Sequence, residues 1–573
     1  MLLNHGGVRR HTRAASFAAG LLILGLWLCT WGNQRGHVDH HIGARPALAY
    51  HPIDGLIRSA HADHERVLAK RTTNITDGAA AYRRRRGQDP PPGFDKWYAR
   101  ALRDDAVIVE SFFDQIYEDL GPFYGQKPSH VRESMQDWEW TLEVRKGKVI
   151  QPTGKRFRKK IWAQMVRRLA SELPDMDLAL NVLDEPRVLV PFQQVSALMM
   201  EPRLDGSRSF GTAKSARDFE GAAGKVHWIT SGSIWDVVQT TCPRGAEARP
   251  SGDREVYPAN LTSSQDPCHH RELADMHGAL IKPSSLSVTL DLVPIFSDSK
   301  IAGYNDILLP PASYYSSDPL FGSGNSWWPW SAGFSSVPWQ AKKSEVVWRG
   351  KATGGTVREN TWEKFHRQRL VSMLNATDVV EHLRDKAILS PAVQTSLGEP
   401  STLSAWLKDS ANVGFTNFFC SPTDGSEACQ AMSAAYKRVP GINMKDQYKW
   451  KYLLDIDGNG HSGRFRAFLL SNSAVMKATI FKEWHDSRLV PWKHYIPISM
   501  DLHGLWATMS YFLGFGGSGA HDPAGQKIAA EGREWAEKVL RKQDMELYTY
   551  RLLLEFARLC DDKRESLRYT ADL

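Results

Sequence analysis

The chain has 573 residues, 72 Lys and Arg against 64 Asp and Glu, and a formal net charge of +8. With 42% hydrophobic and 24% charged residues it has the composition of a folded protein, which excludes wholesale disorder, collagen and a multi-span membrane bundle. The length favours two or three sizeable domains, and the basic balance belongs to one end. Residues 1–100 hold 15 Lys and Arg against 7 Asp and Glu, and the rest is neutral, so the charge reports on the N-terminal region and does not call for a polyanionic partner. No nucleic acid is expected among the partners.

The predicted elements begin with a membrane anchor. Residues 1–13 read as a cytoplasmic tail carrying Arg9, Arg10 and Arg13, followed by an uncharged apolar run over 14–31. Such a run is just long enough to span a bilayer, and the preceding arginines place the tail in the cytoplasm and the body across the membrane. A cleaved signal peptide is the competing reading. Sequons at Asn74, Asn260 and Asn375 agree with a lumenal body, as do two local cysteine pairs, Cys242 with Cys268 and Cys420 with Cys429, which leave Cys560 over. Residues 32–93, with Arg83–Arg86 and the Pro90-Pro91-Pro92-Gly93 turn, read as a solvated stalk.

From residue 94 the pattern becomes globular. Helical spacing runs over Ile108–Leu120 and Ile161–Leu173. Strand-length apolar runs follow at Leu178–Val182, Leu286–Val293, Val346–Trp348, Tyr452–Leu454, Ala474–Met476 and Tyr495–Ile498, with helical stretches at Thr361–Leu374 and Phe465–Leu470 between them. Strands alternating with helices predict α/β domains with parallel sheets. The boundaries expected are 94–330 for a first Rossmann-like domain and 331–520 for a second, joined near Phe321–Trp339. Residues 521–573 form a C-terminal helical segment.

Ligands of such sheets bind beyond the carboxyl ends of the strands. Asp184, after the 178–182 strand, is placed either as a general base or as a turn-capping aspartate. Arg349, Gly350 and Thr353 follow the 346–348 strand. After the 452–456 strand come Ser462, Gly463, Arg464 and Phe465, where a helix start and a cation would favour a diphosphate. Asp455 and Asp457 have the spacing of a metal-binding Asp-x-Asp pair, with a buried structural pair equally open. Gly514–Gly519 matches a dinucleotide fingerprint literally but lacks the strand before it, and His269-His270 lacks ligand spacing; both read as surface features.

Three segments, Lys451-Tyr452-Leu453-Leu454-Asp455-Ile456-Asp457-Gly458, Ser462-Gly463-Arg464-Phe465 and Leu489-Val490-Pro491-Trp492-Lys493-His494-Tyr495-Ile496-Pro497, together resemble glycosyltransferase family 90, with its fungal capsule-associated branch and its animal protein O-glucosyltransferases. Asn181–Arg187, Pro294–Ser297 with Tyr304–Ile307, and Trp348-Arg349-Gly350 support it, in the same order, over roughly 95–560. The resemblance implies a GT-B fold of two Rossmann-like domains facing a cleft. It also implies inverting transfer of a sugar, xylose or glucose foremost, from a UDP-sugar to a hydroxyl of a glycan or glycoprotein. On this reading the protein is a type II single-pass protein of the Golgi or ER membrane. It assigns Asp184 as base, and the donor phosphates to Ser462 and Arg464 and to Arg349 and Gly350. The animal pattern has a second arginine two residues after that glycine; here Ala352 stands there, with Thr353 retained. No tightly bound cofactor is implied, and Asp455 and Asp457 keep a Mn²⁺-assisted reaction open. The alternatives are O-glycosylation of protein Ser or Thr, and a catalytically silent membrane-anchored carbohydrate-binding protein.

Overall fold

The computed structural model describes residues 51–571 apart from 137, 151–155, 200–225, 247–254, 263, 317–336, 360, 376–399, 421–424 and 517. The expected anchor at 14–31 and the expected domain join at 321–336 lie outside these residues. Among the described residues no helix is long and apolar enough to cross a membrane.

The principal elements are α1 (Pro52–Leu68), α2 (Ile75–Arg86), α3 (Phe94–Arg103), α4 (Asp114–Leu120), β1 (Thr141–Arg145), β2 (Lys148–Ile150), α5 (Phe157–Arg167), β3 (Met176–Leu180), β4 (Ile295–Ser297), β5 (Lys300–Ile301) and β6 (Ile307–Leu308). They continue with β7 (Lys343–Ala352), α6 (His366–Leu374), β8 (Ala411–Phe418), β9 (Trp450–Ile456), α7 (Phe465–Leu469), β10 (Ala474–Ala478), β11 (Phe481–Lys482), β12 (Ile496–Pro497), α8 (Leu505–Leu513), α9 (Asp522–Val539) and α10 (Lys542–Leu559). Two five-stranded sheets result, in the orders β2-β1-β3-β4-β6 and β12-β10-β9-β7-β8. The second is parallel throughout, whereas in the first the β2-β1 hairpin is added antiparallel to β3, with Thr141 opposite Ala179. β5 pairs with β11 and ties a strand near the first sheet to one near the second.

Two details of the sequence reading shift. The 286–293 run forms only isolated bridges, Val288 with Ile229 and Thr289 with Val188, and the strand proper is the next segment, β4. Here Thr289 donates to Arg187 O and accepts from Leu189 N, so this run serves the loop after β3 and not the sheet. The C-terminal helices also divide: α9 packs on α7, α8 and β10, while α10 packs on α3, α4 and α5. The terminal segment thus returns to the first sheet. The two cysteine pairs form as expected, with Cys560 free.

The larger correction concerns the stalk. Within 52–93 the chain forms α1 and α2, and α2 contains the whole Arg83–Arg86 run. Asn74 caps it by accepting from Asp77 N at 2.9 Å. Arg86 is only 4% exposed: Nε donates to Glu110 at 2.8 Å, Nη1 to Asp114 at 2.7 Å, and the guanidinium lies 3.7 Å from the Tyr117 ring centroid. Pro90 and Pro91 are buried, and Pro90 O accepts from Tyr569 N. The basic run is accommodated because carboxylates remote in sequence neutralise it.

Glu555 on α10 centres this packing. It accepts from Tyr82 OH at 2.9 Å and Tyr117 OH at 2.7 Å, pairs with Arg558, and lies 3.4 Å from Arg551. Arg551 has no exposed surface and is walled by the rings of Tyr82, Phe94 and Trp97. Removing one member of a buried ion cluster strands the others without compensation. Glu555→Ala is therefore expected to destabilise the folded body by about 3–5 kcal/mol in denaturant unfolding, with loss of α2 protection in hydrogen exchange; an unchanged midpoint would show that α2 is not part of the folded body.

Candidate active site

The site is built from three loops at strand carboxyl ends: 181–187 after β3, 353–355 after β7 and 457–464 after β9. The first is shaped by Asn181, whose Nδ2 donates to Glu185 O and Ser297 Oγ while its Oδ1 accepts from Leu183 N. Buried Asp306 accepts from Arg187 N and Val188 N and closes the far end. Glu185 turns inward onto Ser284 N and Ser285 N, and Asp184 is left projecting with its side chain 44% exposed.

Arg158, at the start of α5, donates to Asp184 Oδ1 at 2.7 Å and is held by Asp298 and Val182 O. Asn459 donates to Oδ2 at 3.2 Å. Burial by itself would push the carboxyl up, but Arg158 and Asn459 outweigh it and hold the pKa below the ordinary value. Asp184 is an oriented carboxylate.

Asn459 also accepts, through Oδ1, from Gly354 N at 2.9 Å and Ser284 Oγ at 2.9 Å, so it joins all three loops. The neighbouring Gly460 makes this approach feasible: a Cβ there would meet Asp184 O at 2.3 Å. Gly278 is equally tight, since its Cβ would fall 1.5 Å from Gly354 O.

Arg464 turns into this region, with Nη1 donating to Arg349 O at 2.7 Å. Arg367, on α6, lies beside it and donates to Asp457 O at 2.6 Å, Lys351 O at 2.9 Å and Thr353 Oγ1 at 2.6 Å. Both guanidiniums sit near the Trp348 indole, 5.8 and 5.5 Å from its centroid. Neither has a carboxylate within ion-pair distance among the described residues. Burial, and then repulsion by Arg464, lowers the pKa of Arg367 to about 9, and burial lowers that of Arg464 as well. Two neighbouring half-buried cations with no ion-pair partner among the described residues could hold a multiply charged anion.

The sequence-expected residues divide accordingly. Asp184, Thr353 and Arg464 are gathered here, with Gly463 beside Arg464. Ser462 is buried, donates to Asp455, and its carbonyl accepts from Tyr314 OH, so it braces the loop. Phe465 is buried under the Lys477 ammonium, 4.0 Å from its ring centroid. The Arg349 side chain is committed to Asn412 and to Pro440 O at the edge of β8, so it reaches the site only through its carbonyl. Gly350 lets the Trp348 indole lie against the backbone, because a Cβ would meet it at 2.6 Å. The expected helix start adds little, since α7 has five residues. Ala352 is 1% exposed and packs in the second core; the second cation comes from α6 instead.

Asp455 and Asp457 are 1% and 0% exposed. Asp455 is taken by Ser462 and by Lys477 at 3.3 Å, and Asp457 by Ile480 N at 2.9 Å with His277 at 3.3 Å. Both oxygens of Asp455 and Oδ2 of Asp457 are taken by protein partners, Asp457 Oδ1 has none, both carboxylates are sealed in the interior, and no group of three potential ligands stands together among the described residues. Residues that the sequence left unmarked are Arg158, Arg367 and Asn459. Only Asn459, inside the Asp457–Arg464 turn, lay next to a visible signal.

Beneath the anion site, His277 stacks on His366 with ring centroids 3.9 Å apart, and His366 Nε2 lies 2.9 Å from Asp457 O. Burial raises the Asp457 pKa to about 7 and lowers that of His277 to about 3. Between the unfolded carboxyl value of about 3.9 and pH 7, Asp457 binds more proton in the folded state, so its contribution to stability falls as pH rises. His277 binds less proton when folded, so from pH 3 to about 6.5 its contribution grows with pH and opposes the first. Asp457→Asn should therefore steepen the rise of stability from pH 4 to 6.5, as read from denaturant midpoints; an unaltered slope would mean that Asp457 is ionised throughout.

With this geometry in place, comparison with known proteins locates the chain. Residues 279–568, half of the sequence, match the family described as Glycosyl transferase family 90. Human Protein O-glucosyltransferase 3 is 30% identical over 121 residues, 21% of this chain and 23% of that protein. Human Protein O-glucosyltransferase 1 is 29% identical over 120 residues, 20% of this chain and 29% of that protein. The O-glucosyltransferase rumi homolog of Aedes aegypti is 29% identical over 128 residues, 22% and 30% respectively. The chain thus aligns with less than a third of the length of these relatives. The match covers β7, β9, the helix α6 that carries Arg367 and the loop that carries Asn459 and Arg464, and the chain belongs to glycosyl transferase family 90.

Proposed function

We propose that this family 90 glycosyltransferase moves a sugar from a UDP-sugar to an acceptor hydroxyl with inversion, using Asp184 as base. The observation that carries the reading is the placement of an oriented carboxylate and a pair of guanidiniums, without an ion-pair partner among the described residues, around one loop, 457–464. The pair suits a diphosphate, which presents two adjacent negative groups. Asp184 takes the acceptor O–H proton as that oxygen bonds to the anomeric carbon, and the bond from that carbon to the diphosphate oxygen breaks on the opposite face. Arg367 and Arg464 then stabilise the charge gathering on UDP. Arg158 keeps Asp184 ionised at the cost of basicity, which favours proton transfer concerted with attack.

The two sheets with strand carboxyl ends converging on these loops support the GT-B arrangement. The cationic pair supplies what a divalent ion would otherwise provide, so Mn²⁺ is not required. The donor sugar is xylose or glucose, and the body works in the lumen of the secretory pathway, held there by the N-terminal apolar run. A protein Ser or Thr hydroxyl is the second acceptor reading, favoured by the protein O-glucosyltransferase names of the similar proteins.

Release of UDP from a panel of UDP-sugars, with and without Mn²⁺, tests the reaction; absence of release from every donor would leave only a binding protein. Asp184→Asn should lower transfer about 10²–10⁴-fold with UDP affinity nearly intact, and parallel loss of both would make Asp184 structural. Arg367→Ala and Arg464→Ala should each weaken UDP binding about 10- to 100-fold by calorimetry, and an unchanged affinity would remove the diphosphate assignment.

A further inference from the structure

Most large aromatic side chains are spent on the core: Trp97, Trp162, Trp348, Trp484 and Trp492 are fully buried. Trp138, Trp140 and Trp228 are not. They are half-buried and lie at the end of the first sheet where β3 finishes. Trp138 Nε1 donates to Leu180 O at 3.0 Å, and Trp140 O accepts from Leu180 N at 3.1 Å, which fixes both at the carboxyl end of β3, four residues before Asp184. Trp228 reaches the same edge through the Ile229–Val288 bridge. The Trp138 and Trp228 rings stand 5.4 Å apart at 47°, and the Arg187 guanidinium lies 5.2 and 4.0 Å from their centroids. Arg187 is held by Ser287 through Nε and Nη2, and Nη1 has no hydrogen-bond partner among the described residues. Exposed Glu139 stands between the two loop tryptophans and acts electrostatically on Arg187.

We infer that Trp138, Trp228 and Arg187 form a platform for a pyranose ring of an oligosaccharide acceptor beside Asp184, an inference that rests on the transferase reading above. A pyranose has a face of C–H groups and a rim of hydroxyls. An indole face not covered by Arg187 suits the first, and a guanidinium N–H with a nearby carboxylate suits the second. The position selects the acceptor over the donor, because the anion-binding pair is supplied by the second-sheet elements β9, α6 and α7, while the platform belongs to the β3 side with the base. The rings are pre-set by backbone hydrogen bonds and by Arg187, so binding costs little side-chain ordering.

The test is saturation-transfer NMR on the full-length protein without donor, using mannotriose, maltotriose, cellotriose and xylotriose, with a Ser/Thr-containing peptide alongside. At least one trisaccharide should receive saturation on its ring C–H protons. Trp228→Ala should weaken its binding about tenfold, with Trp228→Phe restoring most of it, while UDP affinity and donor hydrolysis stay unchanged. Saturation of the peptide but of no trisaccharide, saturation of neither, or trisaccharide binding indifferent to Trp228→Ala would overturn the platform. Loss of UDP affinity in the unaltered protein would strike at the transferase reading, since the sugar test is made without donor.

Discussion

A single amide, Asn459, joins the halves of the site: Nδ2 donates to Asp184 on the first-sheet side, and Oδ1 accepts from Gly354 N and Ser284 Oγ. This contact requires that no side chain stand at 460, where a Cβ would fall 2.3 Å from Asp184 O. Without it the carboxylate would be separated from the loop that carries Arg464. A neutral amide suits the junction because it donates to the carboxylate and accepts from an N–H at once, adding no charge between an anion and two cations.

Electrostatics around this node is deliberately uneven. Several buried charges elsewhere in the body are neutralised locally, as in the cluster of Arg551, Glu555, Arg558, Arg86 and Glu110, or the Lys477 contacts with Asp455 and Glu483, whereas buried Lys342 and Arg466 rest on carbonyls. Arg367 and Arg464 are distinguished by lying side by side: they donate to carbonyls and a threonine hydroxyl and have no ion-pair partner among the described residues, with Asp455, Asp457 and Asp184 acting only from a distance. Two half-buried like charges held side by side repel each other, and such sites are where binding of an opposite charge returns the cost.

Much of this was legible in the residues, and the failures have a common cause. Strands such as 178–182, 346–348 and 452–456 were readable because a buried parallel strand is a short apolar run. The turn 457–464 was readable from its glycines and cation. Arg367 was not, because an arginine inside an amphipathic helix looks like a solvated surface residue until the neighbouring loops are folded over it. Arg158 was hidden in the same way. The Arg83–Arg86 run misled in the opposite direction, since four consecutive cations read as linker unless their carboxylate partners, remote in sequence, are known. Arg349 was found, but its side chain lies elsewhere: its place in the strand is local information, while the direction of its side chain depends on Asn412 and Pro440.

The sequence alone determined the class of sheet, the strand-end loops that bear the site, the family, the two cysteine pairs, and the fact that the +8 lies within the first 100 residues. Those are local matters of periodicity, turn chemistry and composition. Only the tertiary structure decided that part of that basic region belongs to the folded body, that Asp455 and Asp457 are sealed in the interior, and that Arg367 lies beside Arg464. Each of these depends on a charge meeting a partner far away in the chain, or being denied one, and interactions of that range leave no period in the sequence.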